Sequence, residues 1–339
     1  MRAARLLVGG SSLELVNVAV PEPHGDAVRV RVTGAGVCHS DIHVLDGYFN
    51  ATVRRPVTMG HEIAGVVDAV GPECASLDIG TPVVVMVGWG CGHCNWCVAG
   101  FEQLCPSGDE AGSTADGGFA EYVLVPHRRH VVPIGAIDPL AATPMGCAAL
   151  SAYAAVKRVL PWTSTGGSVA ILGAGGLGTY AVHYAARLTG ARVLSVDPNP
   201  AARARSRTAG AHTAISSGDH AQEEVRDATG GEGCQAVVDF VGSDESLALA
   251  ASIVSTKGIV ALLGLAGGHL SYGFDTLPPE VTVTTVVAGT IGDLHDVVRL
   301  AQEEPFLMPL VTYALEDVEQ ALFALRTGQI AGRAVLVPN

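Results

Sequence analysis

SVAILGAGGLGTYAVHYAARLTGARVLSVD, residues 168–197, decides the fold. An apolar run ends at Gly173-x-Gly175-x-x-Gly178, a helical pattern follows, and a second apolar run closes on Asp197, nineteen positions past the last glycine. Residues 169–186 carry no charge, but Gly173, Gly175, Gly176 and Gly178 fall in their middle, so they read as a strand turning into a helix rather than a membrane span. In that setting the glycines form a dinucleotide fingerprint. Gly173 permits the tight turn, Gly175 lets a pyrophosphate approach the amides at the helix N-terminus, and Gly178 lets helix and strand pack closely. Gly176 and Leu177 complete the cofactor-binding turn. Asp197 is placed to accept hydrogen bonds from the adenosine ribose, and its charge opposes a 2′-phosphate, which favours NAD over NADP. Arg203 is near enough to join the cofactor contacts, and with Arg205 it is the one local feature that favours NADP.

Outward from this turn the alternation continues through AHTAIS (211–216), a helix over 219–229, AVVDFVG (236–242), a helix over 245–255, GIVALLG (258–264) and VTVTTVVAG (281–289). Such order implies an α/β, doubly wound parallel sheet. The first half differs. AVRVRVTGAG (27–36), EIAGVVDAVG (62–71), TPVVVMV (81–87) and AEYVLVP (120–126) are short period-two or β-branched runs broken by Gly and Pro, the pattern of a β-rich, barrel-like domain. The last segment, 307–338, reads as a helix and a strand that return to the first domain. The expected divisions are 1–149, 150–289 and 290–339.

The chain has 339 residues, 48% hydrophobic and only 16% charged, enough for two packed cores and too apolar for disorder. Its net charge of −13, from 20 Lys+Arg against 33 Asp+Glu, opposes binding to nucleic acid or anionic lipid. No signal-peptide core precedes Gly9 and Gly10, so the expected location is cytoplasmic.

GWGCGHCNWCVAGFEQLCPSG, residues 88–108, holds Cys91, Cys94, Cys97 and Cys105. Disulfides are disfavoured in a reducing compartment, and four thiols in one Gly-rich loop match a closed tetrahedral zinc site with a structural role. A zinc ribbon for nucleic acid uses similar spacing, but the acidic balance argues against it. Two further segments carry candidate ligands, GVCHSDIHVLDG (36–47) and MGHEIAGVVDAVG (59–71). Taken alone, Cys38 and His61 read as packing residues more readily than as ligands. Cys147 strengthens the metal reading. Asp138 and Pro139 look like a helix cap and first turn, Pro144 begins a second helical segment, and a thiol near a helix start has a lowered pKa that suits zinc. Cys74 and Cys234 read as small core residues, and Tyr48, Phe49 and Trp89 as pocket or packing side chains.

With both halves read, the chain resembles the zinc-dependent alcohol dehydrogenases of the medium-chain dehydrogenase/reductase superfamily from end to end. The resemblance rests on Gly60-His61-Glu62 with Gly65 and Gly71, Cys38-His39-Ser40-Asp41 with His43, the four-cysteine lobe, DGGFAEY at 116–122 and the GAGGLG turn. It implies a Rossmann domain beside a GroES-like catalytic domain and two Zn²⁺ per chain, one catalytic and one structural. The catalytic ion would sit on Cys38, His61 and Cys147, with Glu62 close behind and a fourth position open for the alcohol. Ser40 would take the hydroxyl proton and pass it through the nicotinamide ribose to His43 while hydride leaves to NAD. Asp41 would orient His61, and His39 would contact the cofactor pyrophosphate. The substrate would be a primary or secondary alcohol or its carbonyl partner. The family also implies a homo-oligomer, dimer or tetramer, joined through an edge strand such as 281–287. Two other readings stay open at this point: a reductase of activated C=C bonds within the same superfamily, and a non-catalytic NAD-binding sensor.

Overall fold

The strand Val28–Val37 is the axis of the first unit: Val28, Val30 and Val32 point inward and Arg29 and Arg31 outward, the period of two expected of a half-buried strand. Arg29 Nε meets Asp68 Oδ2 at 2.6 Å on the neighbouring strand Glu62–Val70, which runs antiparallel with Gly36 opposite Glu62. Around this pair the sheet order is Val131–Pro133, Pro82–Val85, Glu62–Val70, Val28–Val37, Arg333–Val337, Leu310–Ala314, with Tyr122–Val125 paired to Val28–Val37 off that path. The chain, a computed structural model, is described over residues 1–306 and 308–338; Leu307 and Asn339, both within the C-terminal return segment, lie outside the described residues.

By its internal contacts the chain forms two units, one of residues 1–150 with 290–339 and one of residues 151–289. The first is the β-rich unit. Its C-terminal piece is a β-α-β turn in which Leu310–Ala314 and Arg333–Val337 pair in parallel and are joined by the helix Val318–Arg326. A three-stranded sheet, Leu13–Asn17, Arg2–Leu6 and Val57–Thr58, completes it. The two N-terminal strands were not read from sequence, because the Gly9-Gly10-Ser11-Ser12 turn separates runs of only five residues each.

The second unit is a six-stranded sheet, parallel throughout, ordered Thr213–Ile215, Arg192–Val196, Ser168–Leu172, Cys234–Asp239, Val254–Leu262, Thr282–Thr285. Numbered by position this is 3-2-1-4-5-6, the doubly wound order that places the first strand beside the switch point. Ser168–Leu172 is buried at every position, as a central strand covered on both faces must be. The helices Ala221–Ala228 and Asp244–Ile253 fall within two residues of the spans read from sequence. Strand 281–287 is shorter than read. Only Thr282–Thr285 pairs, because it is the sheet edge and has a neighbour on one side alone.

Among the described residues no single helix is long and apolar enough to cross a membrane. Cys74 and Cys234 are core residues, 7% and 0% exposed, and burial pushes the Cys234 thiol up to about 12. Trp89 is core as well: it is 5% exposed and its indole N–H donates to Met86 O at 2.8 Å.

Candidate metal centres and cofactor turn

Three separate pieces of the first unit bring one set of donors together. Cys38 ends the central strand and precedes the short helix His39–Leu45. His61 and Glu62 open the neighbouring strand. Cys147 lies between a 3-10 turn, Thr143–Gly146, and the helix Ala148–Val159. Its approach depends on the glycine before it, since a Cβ on Gly146 would lie 2.7 Å from Val85 O. Pro144 is the second residue of the 3-10 turn, and Asp138 caps the preceding Pro139–Ala142 helix by accepting from Leu140 N–H at 3.2 Å.

The donor atoms of Cys38, His61, Glu62 and Cys147 all lie within 4.8 Å of one another. Asp41 ties two of them together. One of its oxygens accepts Cys38 N–H at 2.8 Å, and the other stands 3.4 Å from His61 Nδ1, which leaves Nε2 as the ring atom free to face a metal. The sulfurs of Cys38 and Cys147 are coupled: contact with Cys147 draws the Cys38 thiol well below its ordinary range, and the same contact pushes Cys147 well above. A thiol in contact with a thiolate is a pair that suits a cation, which favours the ionised form of both. Glu62 gives a second sign that the pocket suits a cation. It is fully buried, its Oε1 accepts from Arg333 Nη2, and its Oε2 has no hydrogen-bond partner. Burial raises its carboxyl to about 7 against the opposing pull of Arg333. The donor set therefore fits zinc, with two thiols, one imidazole and a carboxylate in reserve.

Arg333 was not anticipated. It stands far along the chain from Glu62, and the one signal for it was a single charge at the head of the apolar run AVLV, residues 334–337. A Cβ on Gly36, opposite Glu62 in register, would lie 2.2 Å from Glu62 Oε2, so glycine there is the space the carboxylate occupies.

Ser40 and His43 share the helix that Cys38 starts. Ser40 Oγ is 3.3 Å from Cys38 Sγ. His43 is half-buried and its ring lies 5.6 Å from that of Tyr48, which in turn meets Phe49 edge-on at 4.9 Å. His39 is exposed. The far end of this helix is held by Asp46, whose two oxygens accept from Arg326 at 2.7 and 2.9 Å.

The four cysteines of the lobe form a second cluster. Their sulfurs are 3.5 Å (Cys94 and Cys97), 3.7 Å (Cys94 and Cys105) and 3.9 Å (Cys91 and Cys97) apart. Four sulfurs placed about 2.3 Å from one ion at tetrahedral angles are separated by about 3.8 Å, so the spacing is that of a tetrahedron around zinc and not of a disulfide. Backbone amides favour the thiolate forms: His93 and Cys94 bring Cys91 down to about 6, whereas burial lifts Cys97 to about 12. The lobe is fastened to the barrel by Arg129, which donates through Nε to Glu102 at 3.2 Å and through Nη2 to Gly90 O.

In the second unit the glycine turn has the form expected. Gly173 has φ +83°, a Cβ on Gly178 would lie 1.7 Å from Gly173 O, and nothing lies within 4 Å of a Cβ placed on Gly175. Gly176 and Leu177 lead into the helix Gly178–Leu188. Asp197 follows the strand Arg192–Val196, with Oδ2 accepting Ala174 N–H at 2.7 Å and Oδ1 accepting Asn199 N–H at 2.8 Å. Each oxygen keeps a lone pair. Arg203 Nη1 donates to the carbonyls of Asp197 and Pro198, both at 2.8 Å, so the guanidinium braces the turn that carries Asp197.

Comparison with known proteins agrees with this geometry. Residues 24–136 match the alcohol dehydrogenase GroES-like domain, and residues 176–303 match the zinc-binding dehydrogenase family. An NAD-dependent alcohol dehydrogenase of Sulfurisphaera tokodaii is 34% identical over the full length of both chains. A D-arabinose 1-dehydrogenase (NADP(+)) of Saccharolobus solfataricus is 30% identical, over 99% of this chain and 97% of its own. The crystal structure of the alcohol dehydrogenase from Aeropyrum pernix superposes with a TM-score of 0.93 at 30% identity, covering both chains completely. With its two donor clusters, its glycine turn and relatives that match from end to end, the chain belongs to the zinc-dependent alcohol dehydrogenases of the medium-chain dehydrogenase/reductase superfamily.

Proposed function

We propose that this chain interconverts a primary or secondary alcohol and its aldehyde or ketone with NAD as hydride carrier, and that Cys38, His61 and Cys147 hold the catalytic zinc. The observation that carries the reading is the gathering of these donors with Glu62 within 4.8 Å, beside the Ser40 hydroxyl. Bound there, zinc supplies Lewis acidity, of the strength that moves the pKa of water from about 16 to about 7. NAD supplies the hydride acceptor.

The chain's own residues do the rest. Asp41 holds His61 so that one ring nitrogen faces the sulfurs. Glu62, drawn back by Arg333, keeps Oε2 free and serves as a donor in reserve. Ser40 Oγ accepts the proton that the substrate hydroxyl gives up, and His43, on the same helix and half-exposed, delivers it to solvent by way of the nicotinamide ribose. Gly175, Gly176 and Leu177 receive the pyrophosphate, and Asp197 binds the adenosine ribose with Arg203 bracing it from behind.

The test is a zinc-loaded sample assayed with alcohols and NAD, run beside Ser40→Ala and His43→Gln. Loss of the relay hydroxyl should lower kcat by roughly 10²–10⁴-fold. The His43 variant should be slow near neutral pH and regain rate as the pH rises and solvent takes over as proton acceptor. Undiminished rates at neutral pH in both variants would refute the relay.

The same reading extends to assembly and location. Thr282–Thr285 is an edge strand with an open side, which suits pairing with a second copy into a homo-oligomer, dimer or tetramer. All eight cysteines are free thiols, which suits a cytoplasmic, reducing setting.

A further inference from the structure

The helix His39–Leu45 ends in a turn that ties His43 to Tyr48 twice. Gly47, with φ +84°, donates its N–H to Val44 O at 3.1 Å, and Tyr48 donates its N–H to His43 O at 2.9 Å, the paired bonds of a Schellman cap. The side chains meet as well, with ring centroids 5.6 Å apart and planes inclined by 48°. Tyr48 is braced edge-on by Phe49 at 4.9 Å, and Phe49 packs against the core of the first unit. A line of contacts therefore runs from the core through Phe49 and Tyr48 to the imidazole.

The charged neighbours leave the imidazole to that ring. Asp46, three positions on, gives both carboxylate oxygens to Arg326 of the helix Val318–Arg326. Asp41, two positions back and so on another face of the helix, is buried and engaged with Cys38 N–H and His61. His39 is exposed. Among the described residues neither ring nitrogen of His43 has a hydrogen-bond partner, and neither does the Tyr48 hydroxyl. A half-buried histidine with no polar partner keeps its rotamer freedom unless something packs on it. The Tyr48 ring is what packs on it, and at 58% exposed that ring adds little to the core.

We propose that Tyr48 is a positioning residue of the proton relay: its ring, and not its hydroxyl, holds the His43 imidazole in the orientation from which it passes the proton to solvent. The inference rests on the relay reading of Ser40 and His43. It places Tyr48 behind the relay and not on the substrate.

The experiment compares the zinc-loaded wild type with Tyr48→Leu, Tyr48→Phe, His43→Gln and the double variant Tyr48→Leu with His43→Gln. Proton release to a pH indicator is followed in a single turnover of alcohol and NAD. At neutral pH Tyr48→Leu should release the proton roughly tenfold more slowly, since a misplacement of about 1 Å can cost about 10²-fold, with KM for alcohol and NAD unchanged. The loss should fade as the pH rises and solvent takes the proton. Tyr48→Phe should match the wild type, and Tyr48→Leu should cost nothing further once His43 is Gln. A second readout needs no turnover. The imidazole proton resonance that disappears in His43→Gln should carry a ring-current shift in the wild type and Tyr48→Phe, and lose it in Tyr48→Leu. Wild-type proton release in Tyr48→Leu overturns the proposal, as does a Tyr48→Phe as slow as Tyr48→Leu, or an equal loss in the His43→Gln background. A raised KM with an unchanged rate makes Tyr48 a pocket wall and also overturns it, as does a His43 resonance that is the same in all Tyr48 variants. In each of these outcomes His43→Gln is itself slow. Failure of the relay reading shows instead as a His43→Gln that releases its proton at the wild-type rate, and the role of Tyr48 falls with it.

Discussion

Cys38→Ser should lower alcohol-dependent NAD reduction by at least ~10³-fold and reduce the metal content from two zinc ions per chain to one. The sulfur it removes lies at the meeting of three constraints: it ends the central strand, it is coupled to Cys147, and its backbone N–H is held by the same Asp41 that orients His61. Serine is nearly the same size, so the barrel core around this 5%-exposed position should survive. Circular dichroism and NADH binding serve as controls, because the glycine turn and Asp197 belong to the other unit. Loss of rate with both controls intact places the defect at the metal. A variant that reduces NAD at the wild-type rate would exclude Cys38 as a ligand.

Cys97→Ser should act on stability first. It removes one corner of the sulfur tetrahedron from a loop that has almost no regular structure of its own, a four-residue helix and a single 3-10 turn. Structural zinc contributes about 10–16 kcal/mol to the folding of small isolated fingers. Here the lobe is also fastened by Arg129 and Glu102, so a smaller share is exposed to the mutation, on the order of 4 kcal/mol. For a unit of this size that corresponds to a fall in Tm of roughly 10 °C, readable by calorimetry. The variant should retain the catalytic ion and, while folded at low temperature, most of its turnover. An unchanged Tm with two zinc ions still bound would remove the four-sulfur site.

Legibility in the sequence followed the range of the interactions. The glycine turn could be read because its parts fall within one short strand-turn-helix, and each glycine has a local steric reason. The lobe could be read because its four sulfurs share one loop. Cys38, His61 and Cys147 were harder. Individually each is an ordinary buried or half-buried residue, and only the motifs around them, through the family resemblance, tied them to one ion. Arg333 escaped because nothing near it in sequence announces that its partner is Glu62. Trp89 read as either lining or packing until its indole N–H was seen to close on Met86 O.

The catalytic unit is discontinuous, built from residues 1–150 and 290–339, and Arg333 belongs to its last strand. During synthesis the ribosome therefore releases the thiols and the imidazole long before the guanidinium that balances Glu62. Until the strand Arg333–Val337 has docked, that acid lacks the guanidinium that favours its ionised form, and the sheet beside it lacks a member. The glycine-turn unit, encoded as one uninterrupted stretch, can fold first, whereas maturation of the metal pocket is a step that waits for the whole polypeptide.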